Sequence, residues 1–204
     1  MSIFRQPYEK HDYRGGLDSA LVFYLLRKYG KFDEDWLEQF PGGDVVREIC
    51  SRMEMHHHTI DFKGGEDARS LKFSDSRFMG VLSHPPYWKA IKYSEDPRDL
   101  SNCETYEEFI VEFDKALSEA ERVLIPGGYL IVITGDVRRD RVLYPMHSDI
   151  IQAMKKRANM VLRDIMIWEL SATGTPFLGT NWMIMGNYCI IWEKLGHDAR
   201  ELFE

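Results

Sequence analysis

A buried-looking strand that runs straight into two prolines constrains this chain most. Phe78-Met79-Gly80-Val81-Leu82 is an apolar run of the kind found inside a parallel sheet, and Ser83-His84-Pro85-Pro86-Tyr87-Trp88 follows it. Neither proline has a backbone N–H to give to a ladder, and each fixes φ, so the strand must stop there in a stiff turn. Open α/β sheets place their ligands at the carboxyl ends of such strands. An aromatic pair, Tyr87-Trp88, completes the turn and offers flat faces for stacking a planar group.

The rest of the chain alternates helical and strand periodicities, which predicts an α/β fold with a mainly parallel sheet. Leu17, Leu21, Val22, Leu25, Leu26 and Tyr29 recur at helical spacing up to Gly30, and Val45, Val46, Ile49 and Met53 mark a second helix. Thr59-Ile60-Asp61-Phe62 reads as a short strand. Over 105–123, Thr105 and Glu108 form a capping box ahead of one apolar face built from Tyr106, Phe109, Ile110, Phe113, Leu117 and Ala120. Pro126-Gly127-Gly128 predicts a turn into the strand Tyr129–Ile133, and a helix is expected near 147–160. Ile165–Trp168 and Tyr188–Trp192 close the pattern as strands.

With 204 residues, the chain suits one well-buried domain spanning 1–204. No apolar stretch approaches a membrane span, and three widely spaced cysteines (Cys50, Cys103, Cys189) point to a reducing, cytoplasmic setting with neither a disulfide frame nor a zinc site. The net charge of −7 disfavours a nucleic-acid binder, whose affinity rests largely on neutralising phosphates. Basic residues nevertheless cluster at Arg138-Arg139-Asp140-Arg141 and Lys155-Lys156-Arg157, as phosphate contacts or as solvated faces.

Upstream of the Pro-Pro turn lies Phe40-Pro41-Gly42-Gly43-Asp44, a glycine turn opening the Val45 helix. Asp61 stands twenty-one residues after Phe40, at the end of the next short strand. Glycine turn, helix, strand and terminal carboxylate have the form of a nucleotide-binding half-unit, in which backbone approaches the ligand and the acid takes the ribose hydroxyls.

Together these segments resemble the amino-group DNA methyltransferases that use S-adenosylmethionine. His84-Pro85-Pro86-Tyr87 is similar to that family's Asp/Asn/Ser-Pro-Pro-aromatic signature, and Glu38-Gln39-Phe40-Pro41-Gly42-Gly43-Asp44-Val45 matches its cofactor turn in part. Further likeness lies in Ile91–Ser94, Arg122–Gly128, Ile167–Glu169, Asn187–Lys194 and, near the amino terminus, His11-Asp12-Tyr13-Arg14-Gly15-Gly16. The resemblance implies a Rossmann-like sheet of seven strands, mostly parallel with the last antiparallel, and helices on both faces. The short apolar stretches and sparse cysteines lead to the expectation of no membrane and no metal. Only sixteen residues separate Asp67 from His84 and ten follow Lys194, so no separate target-recognition domain is expected. Readout of a target in DNA then falls to the loops 89–104, 137–147 and 171–186, or to a protein partner.

By the same resemblance, the side chain at 84 and the Pro85 carbonyl accept the two N–H bonds of an adenine or cytosine amino group, beside Pro86. Tyr87 stacks on the flipped base. Tyr13, Arg14, Phe40, Pro41, Gly42 and Gly43 lie along the methionine end of the cofactor, Asp61 and Phe62 at the ribose, and Asp67 and Ala68 at the adenine. Two positions depart from the family. Histidine replaces the usual acceptor at 84; neutral imidazole accepts one hydrogen bond and imidazolium none, so activity is expected to fall as pH drops through a pKa of about 6.5. Asp44 sits where a glycine or its neighbour is usual, near the cofactor's own carboxylate. These departures keep two alternatives in play: an RNA or small-molecule methyltransferase, and an inactive methyltransferase-like binding subunit.

Other features have plainer readings. His56-His57-His58 is expected on a solvent-exposed turn, and Trp168 and Trp192 in the core. Trp88 is expected to share stacking with Tyr87. Asp136, after Thr134-Gly135, either lines a pocket or caps the following turn.

Overall fold

A computed structural model describes residues 2–6, 16–31, 33–170 and 186–196. Among these residues, nine strands and four helices follow one another as β1 (Ser2–Gln6), α1 (Ser19–Tyr29), β2 (Asp35–Gln39), α2 (Val45–Arg52), β3 (His56–Ile60), β4 (Phe78–Ser83), α3 (Tyr106–Val123), β5 (Leu124–Thr134), β6 (Val137–Arg139), β7 (Val142–Tyr144), α4 (Met146–Lys155), β8 (Met160–Leu170) and β9 (Gly186–Lys194). Seven of the strands form one sheet in the order β1-β8-β9-β5-β4-β2-β3, and β6-β7 is a separate hairpin. Only β9 runs against its neighbours, antiparallel to both β5 and β8, while the other pairings within the sheet are parallel. The expected α/β fold, with its antiparallel last strand, is present.

Each face of the sheet carries its own core. On one side α1 and α2 pack Leu21, Leu25, Val46 and Ile49 against Trp36, Leu82, Ile131 and Ile191. On the other, α3 and α4 pack Phe109, Phe113, Ile150 and Met154 against Leu37, Val81, Leu130 and Val132. The period-2 alternation of Ile131 and Ile133 with Leu130 and Val132 therefore serves two helical layers at once.

Local chemistry sets the helix ends. Asp18 caps α1 by accepting from the backbone N–H of Ala20 at 2.9 Å and Leu21 at 3.0 Å. Thr105 caps α3 through the Glu108 N–H, but the returning Glu108 carboxylate takes the Glu104 N–H at 2.8 Å, one residue before the position a strict capping box uses. Gly30, which ends α1, has extended backbone; glycine is needed because a Cβ would lie 2.8 Å from the Leu26 carbonyl oxygen and 2.6 Å from the Met55 methyl.

Several boundaries differ from the sequence-based expectation. Strand β2 was not anticipated, since its last two residues are polar; both Glu38 and Gln39 are nevertheless buried. β3 begins at the histidines and stops at Ile60, leaving Asp61 to cap a 3-10 turn over Phe62–Gly64 by accepting from the Lys63 N–H at 3.0 Å. α4 ends at Lys155 because β8 starts at Met160. Pro126-Gly127-Gly128 does not precede β5 but lies inside it, where the register against β4 slips between Phe78 and Gly80. Gly127 takes φ +82° there, and Gly128 lets the Met79 carbonyl come within 2.8 Å of where a Cβ would stand.

The histidine run is also not a solvent-exposed turn. It forms the edge strand β3, so alternate side chains face opposite ways. His57 is nearly buried against Glu38 at 2.9 Å, and His58 lies edge-on to Phe73 and Phe78 while meeting Asp35 at 2.9 Å. Only His56 is largely exposed. Among the described residues, no group of His, Cys, Asp and Glu could hold a metal ion, and no helix is long and apolar enough to cross a membrane.

Candidate active site

β2 and β4 are neighbours, and both end at the same edge of the sheet. Gln39 is the register partner of Ser83 and of Ile60, so the Phe40 turn, Asp61 and His84 follow one another along that edge. The His84 N–H donates to the Gln39 carbonyl at 3.3 Å, tying the Pro-Pro turn to the glycine turn directly. Thr134 closes β5 at the same edge, and Gly135 follows it.

His84 is half-buried, Pro85 is buried and Pro86 is half-buried. The Tyr87 hydroxyl donates to Asn187 Oδ1 on β9 at 3.1 Å and lies 3.4 Å from His84 Nε2, the two rings meeting edge-on. Glycine at 135 makes this packing possible: a Cβ there would stand 2.5 Å from Asn187 Oδ1 and 3.0 Å from the Tyr87 ring. Burial pushes the His84 imidazole down to about 4 and lifts the Tyr87 phenol far above its ordinary range. A ring removed from water loses its charged form first, so any fall in activity on acidification is moved well below the unperturbed 6.5. His84 stays neutral, and able to accept a hydrogen bond, across the physiological range.

Trp88 does not share the stacking face with Tyr87. It turns inward, donates from Nε1 to the Cys103 carbonyl at 3.1 Å, and packs edge-on to Tyr106 and Tyr144 with ring centroids 5.6 and 4.8 Å away. Its part is to anchor the turn to α3 and the β6-β7 hairpin.

In the glycine turn, Phe40 has φ +61° and packs on Phe113 at 5.9 Å, and Gly43 has φ +152° with open space where a Cβ would be. Pro41 and Gly42 between them are half-buried. The Asp44 carboxylate pairs with Arg47 one turn along α2, which offsets its charge. Asp61 is exposed at the end of β3, and Phe62 is half-buried beside it. Asp67 is committed to the protein: its two oxygens receive Arg69 Nε and Nη2 at 2.8–3.2 Å. Burial raises the Asp67 pKa, but the Arg69 hydrogen bonds and charge outweigh it and hold the carboxyl below its usual range. The Ala68 side chain is in the core. Tyr13 and Arg14 lie outside the described residues, as does most of the 171–186 loop.

Two groups at this edge make contacts that sequence reasoning did not place. Asn187 is one; the sequence offered it only as the start of the Asn187–Lys194 likeness. The other joins Asp136, for which a pocket and a cap were both open, to His147 and Tyr188. Asp136 takes His147 Nδ1 at 2.6 Å and the His147 backbone N–H at 3.3 Å, so it both caps α4 and lines the edge, and the His147 ring stacks on Tyr188 at 3.9 Å. A groove of about 530 Å³ continues from His147 past Ser148, Gln152 and Lys155. Of the two basic clusters, Arg157 is spent on Asp114 and Glu121, at 2.7 and 3.2 Å.

No family model matches the chain. It is 29% identical over 139 residues to the type II methyltransferase M.MthZI of Methanothermobacter thermautotrophicus, a stretch that is 60% of this chain and 39% of that protein. The chain thus spans well under half the length of that relative. A Thermus thermophilus protein assigned to the DNA modification methylases is 28% identical, with a TM-score of 0.49 over 64% of this chain and 51% of that one. That protein has also been seen with S-adenosyl-L-methionine. A Bacillus halodurans protein assigned as a methyltransferase shares the fold, with a TM-score of 0.54, 15% identity, and coverage of 87% of this chain and 100% of that one. The chain is thus similar in sequence to a type II methyltransferase over 60% of its length, and its sheet shares the fold of methyltransferases.

Proposed function

We propose that the chain transfers a methyl group from S-adenosylmethionine to the exocyclic amino nitrogen of adenine or cytosine in DNA. The observation that carries this reading is the adjacency of the glycine turn and the His84-Pro85-Pro86-Tyr87 turn, joined by the hydrogen bond from His84 N–H to the Gln39 carbonyl. One turn suits a nucleoside cofactor and the other a planar amino-bearing base, within reach of each other.

The residues present fit that cofactor. The Phe40–Gly43 turn leaves open space above Gly43, the Asp44 charge is offset by Arg47, and the exposed Asp61 carboxylate suits ribose hydroxyls. With the Asp67 carboxylate held by Arg69, contact with the adenine edge falls to backbone of the 67–68 turn. Bound, the cofactor supplies an electrophilic methyl on a sulfonium. His84 and the Pro85 carbonyl accept the two amino N–H bonds of the base. Holding both fixes the nitrogen and favours a tetrahedral lone pair directed at the methyl group. Tyr87, pinned at its hydroxyl, gives a rigid wall for a base taken out of the duplex at a cost of a few kcal/mol.

The catalytic unit reads its target through the 89–104 and 137–147 loops or through a protein partner, and the groove lined by Ser148, Gln152 and Lys155 suits a backbone phosphate. Calorimetric titration with S-adenosylmethionine, followed by transfer of a labelled methyl group to mixed DNA and RNA, tests the reading. Micromolar binding with label in DNA is expected. Label in RNA alone overturns the DNA assignment, and absence of cofactor binding overturns the enzyme.

A further inference from the structure

The His84-Tyr87-Asn187 contact has a proton inventory that bears on chemistry. A neutral imidazole carries one N–H and one lone pair, and the two tautomers differ in which nitrogen has which. A Tyr hydroxyl has one proton. The Tyr87 proton goes to Asn187 Oδ1, at 3.1 Å, so the Tyr87 oxygen faces His84 Nε2, at 3.4 Å, with lone pairs only. Two lone pairs facing each other repel, whereas an Nε2–H donates. The neutral ring in that setting holds its proton on Nε2 and leaves Nδ1 as the acceptor.

Nδ1 is the nitrogen that matters geometrically. It stands three bonds from Cα, as does a carboxylate or amide oxygen of Asp or Asn, whereas Nε2 lies one bond farther out. A histidine can therefore stand in for those residues as an acceptor only in the tautomer with its proton on Nε2.

We propose that Asn187, acting through the Tyr87 hydroxyl, fixes His84 as the Nε2–H tautomer and so presents the Nδ1 lone pair to the amino group of the base. Asn187 is a positioning residue from β9, the antiparallel strand, on the far side of β5 from the Pro-Pro turn. Gly135 keeps the path between them open, since a Cβ at that position would collide with Asn187 Oδ1. The inference rests on the reading of residue 84 as the acceptor, but its first test needs neither substrate nor cofactor.

Nitrogen-15 correlation spectra of the full chain labelled at its seven histidines report the tautomer of each ring. The His84 signals are identified by their loss in His84→Asn. At pH 7 the wild type is expected to show protonated Nε2 and unprotonated Nδ1 for His84. Asn187→Ala frees the Tyr87 proton to turn toward His84 and is expected to shift the ring toward the Nδ1–H form. Asn187→Asp keeps an acceptor for that proton and is expected to leave the tautomer unchanged. Should Asn187→Ala unfold, Tyr87→Phe removes the acceptor of the Nε2–H and is expected to give a mixture. An Nδ1–H tautomer in the wild type overturns the proposal, as does a His84 pattern unmoved by a folded Asn187→Ala or Tyr87→Phe. In transfer assays, Asn187→Ala is expected to lower kcat at least tenfold with KM for DNA unchanged, and Asn187→Asp to restore it. The expected tautomers in a chain that transfers no methyl would leave the positioning intact and sink the catalytic reading alone.

Discussion

Burial of His84 makes a quantitative statement about pH. With the ring pushed down to about 4, it is neutral at pH 5.5 in about 97% of molecules, whereas an unperturbed histidine of pKa about 6.5 would be neutral in only about 10%. The perturbation is His84→Asn, an acceptor of similar reach that does not titrate. The ratio of kcat between wild type and His84→Asn, measured with DNA saturating, is expected to stay flat from pH 8 to 5.5 and to drop only below about pH 5. Stability follows the same linkage. The unfolded chain binds more protons than the folded one between about pH 4 and 6.5, so wild-type stability falls as pH falls through that window. From pH 7 to 5 the shift sets a limit of about 2 kcal/mol, and the partial exposure of the ring lowers this to about 1 kcal/mol. Urea midpoints at the two pH values, wild type against His84→Asn, measure it. A rate ratio that falls about fivefold between pH 6.5 and 5.5, with no pH-dependent stability difference, would refute the claim that this turn shields the imidazole.

Three further substitutions probe separate links in the structure. Gly80→Ala sets a Cβ 2.4 Å from the ring of the fully buried Trp36; denaturant unfolding is expected to show a loss of about 1–3 kcal/mol. Trp88→Ala removes a buried ring and its bond to the Cys103 carbonyl, for an expected loss of about 3–5 kcal/mol by the same measurement; a loss under about 1 kcal/mol would return Trp88 to the stacking surface. Asp61→Asn keeps the cap on the 3-10 turn but removes the carboxylate charge. Calorimetry is expected to give roughly ten- to hundredfold weaker S-adenosylmethionine binding with Tm unchanged, and equal affinity would release Asp61 from the ribose.

Apolar periodicity and Pro-Pro chemistry by themselves determined much of this protein. The apolar faces of α1 and α3 and the buried run of β4 follow from side-chain spacing, which any packed helix or strand must respect. The stop at Pro85-Pro86 follows from the missing N–H, and the position of the glycine turn before α2 from the same local rules. Where side chains satisfy each other across the sheet, local rules fail. β2 was hidden because Glu38 is buried only with His57, a partner on another strand, and the histidine run looked like a surface turn for the same reason. Trp88 and Tyr87 are adjacent and chemically alike, yet one turns inward to α3 and the β6-β7 hairpin while the other reaches toward β9. The Tyr87 hydroxyl finds its acceptor one hundred positions away, and burial within the assembled fold lowers the His84 pKa. Sequence spacing sets which residues share a strand or helix; burial and long-range register set their protonation and their partners, and these the tertiary structure alone decided.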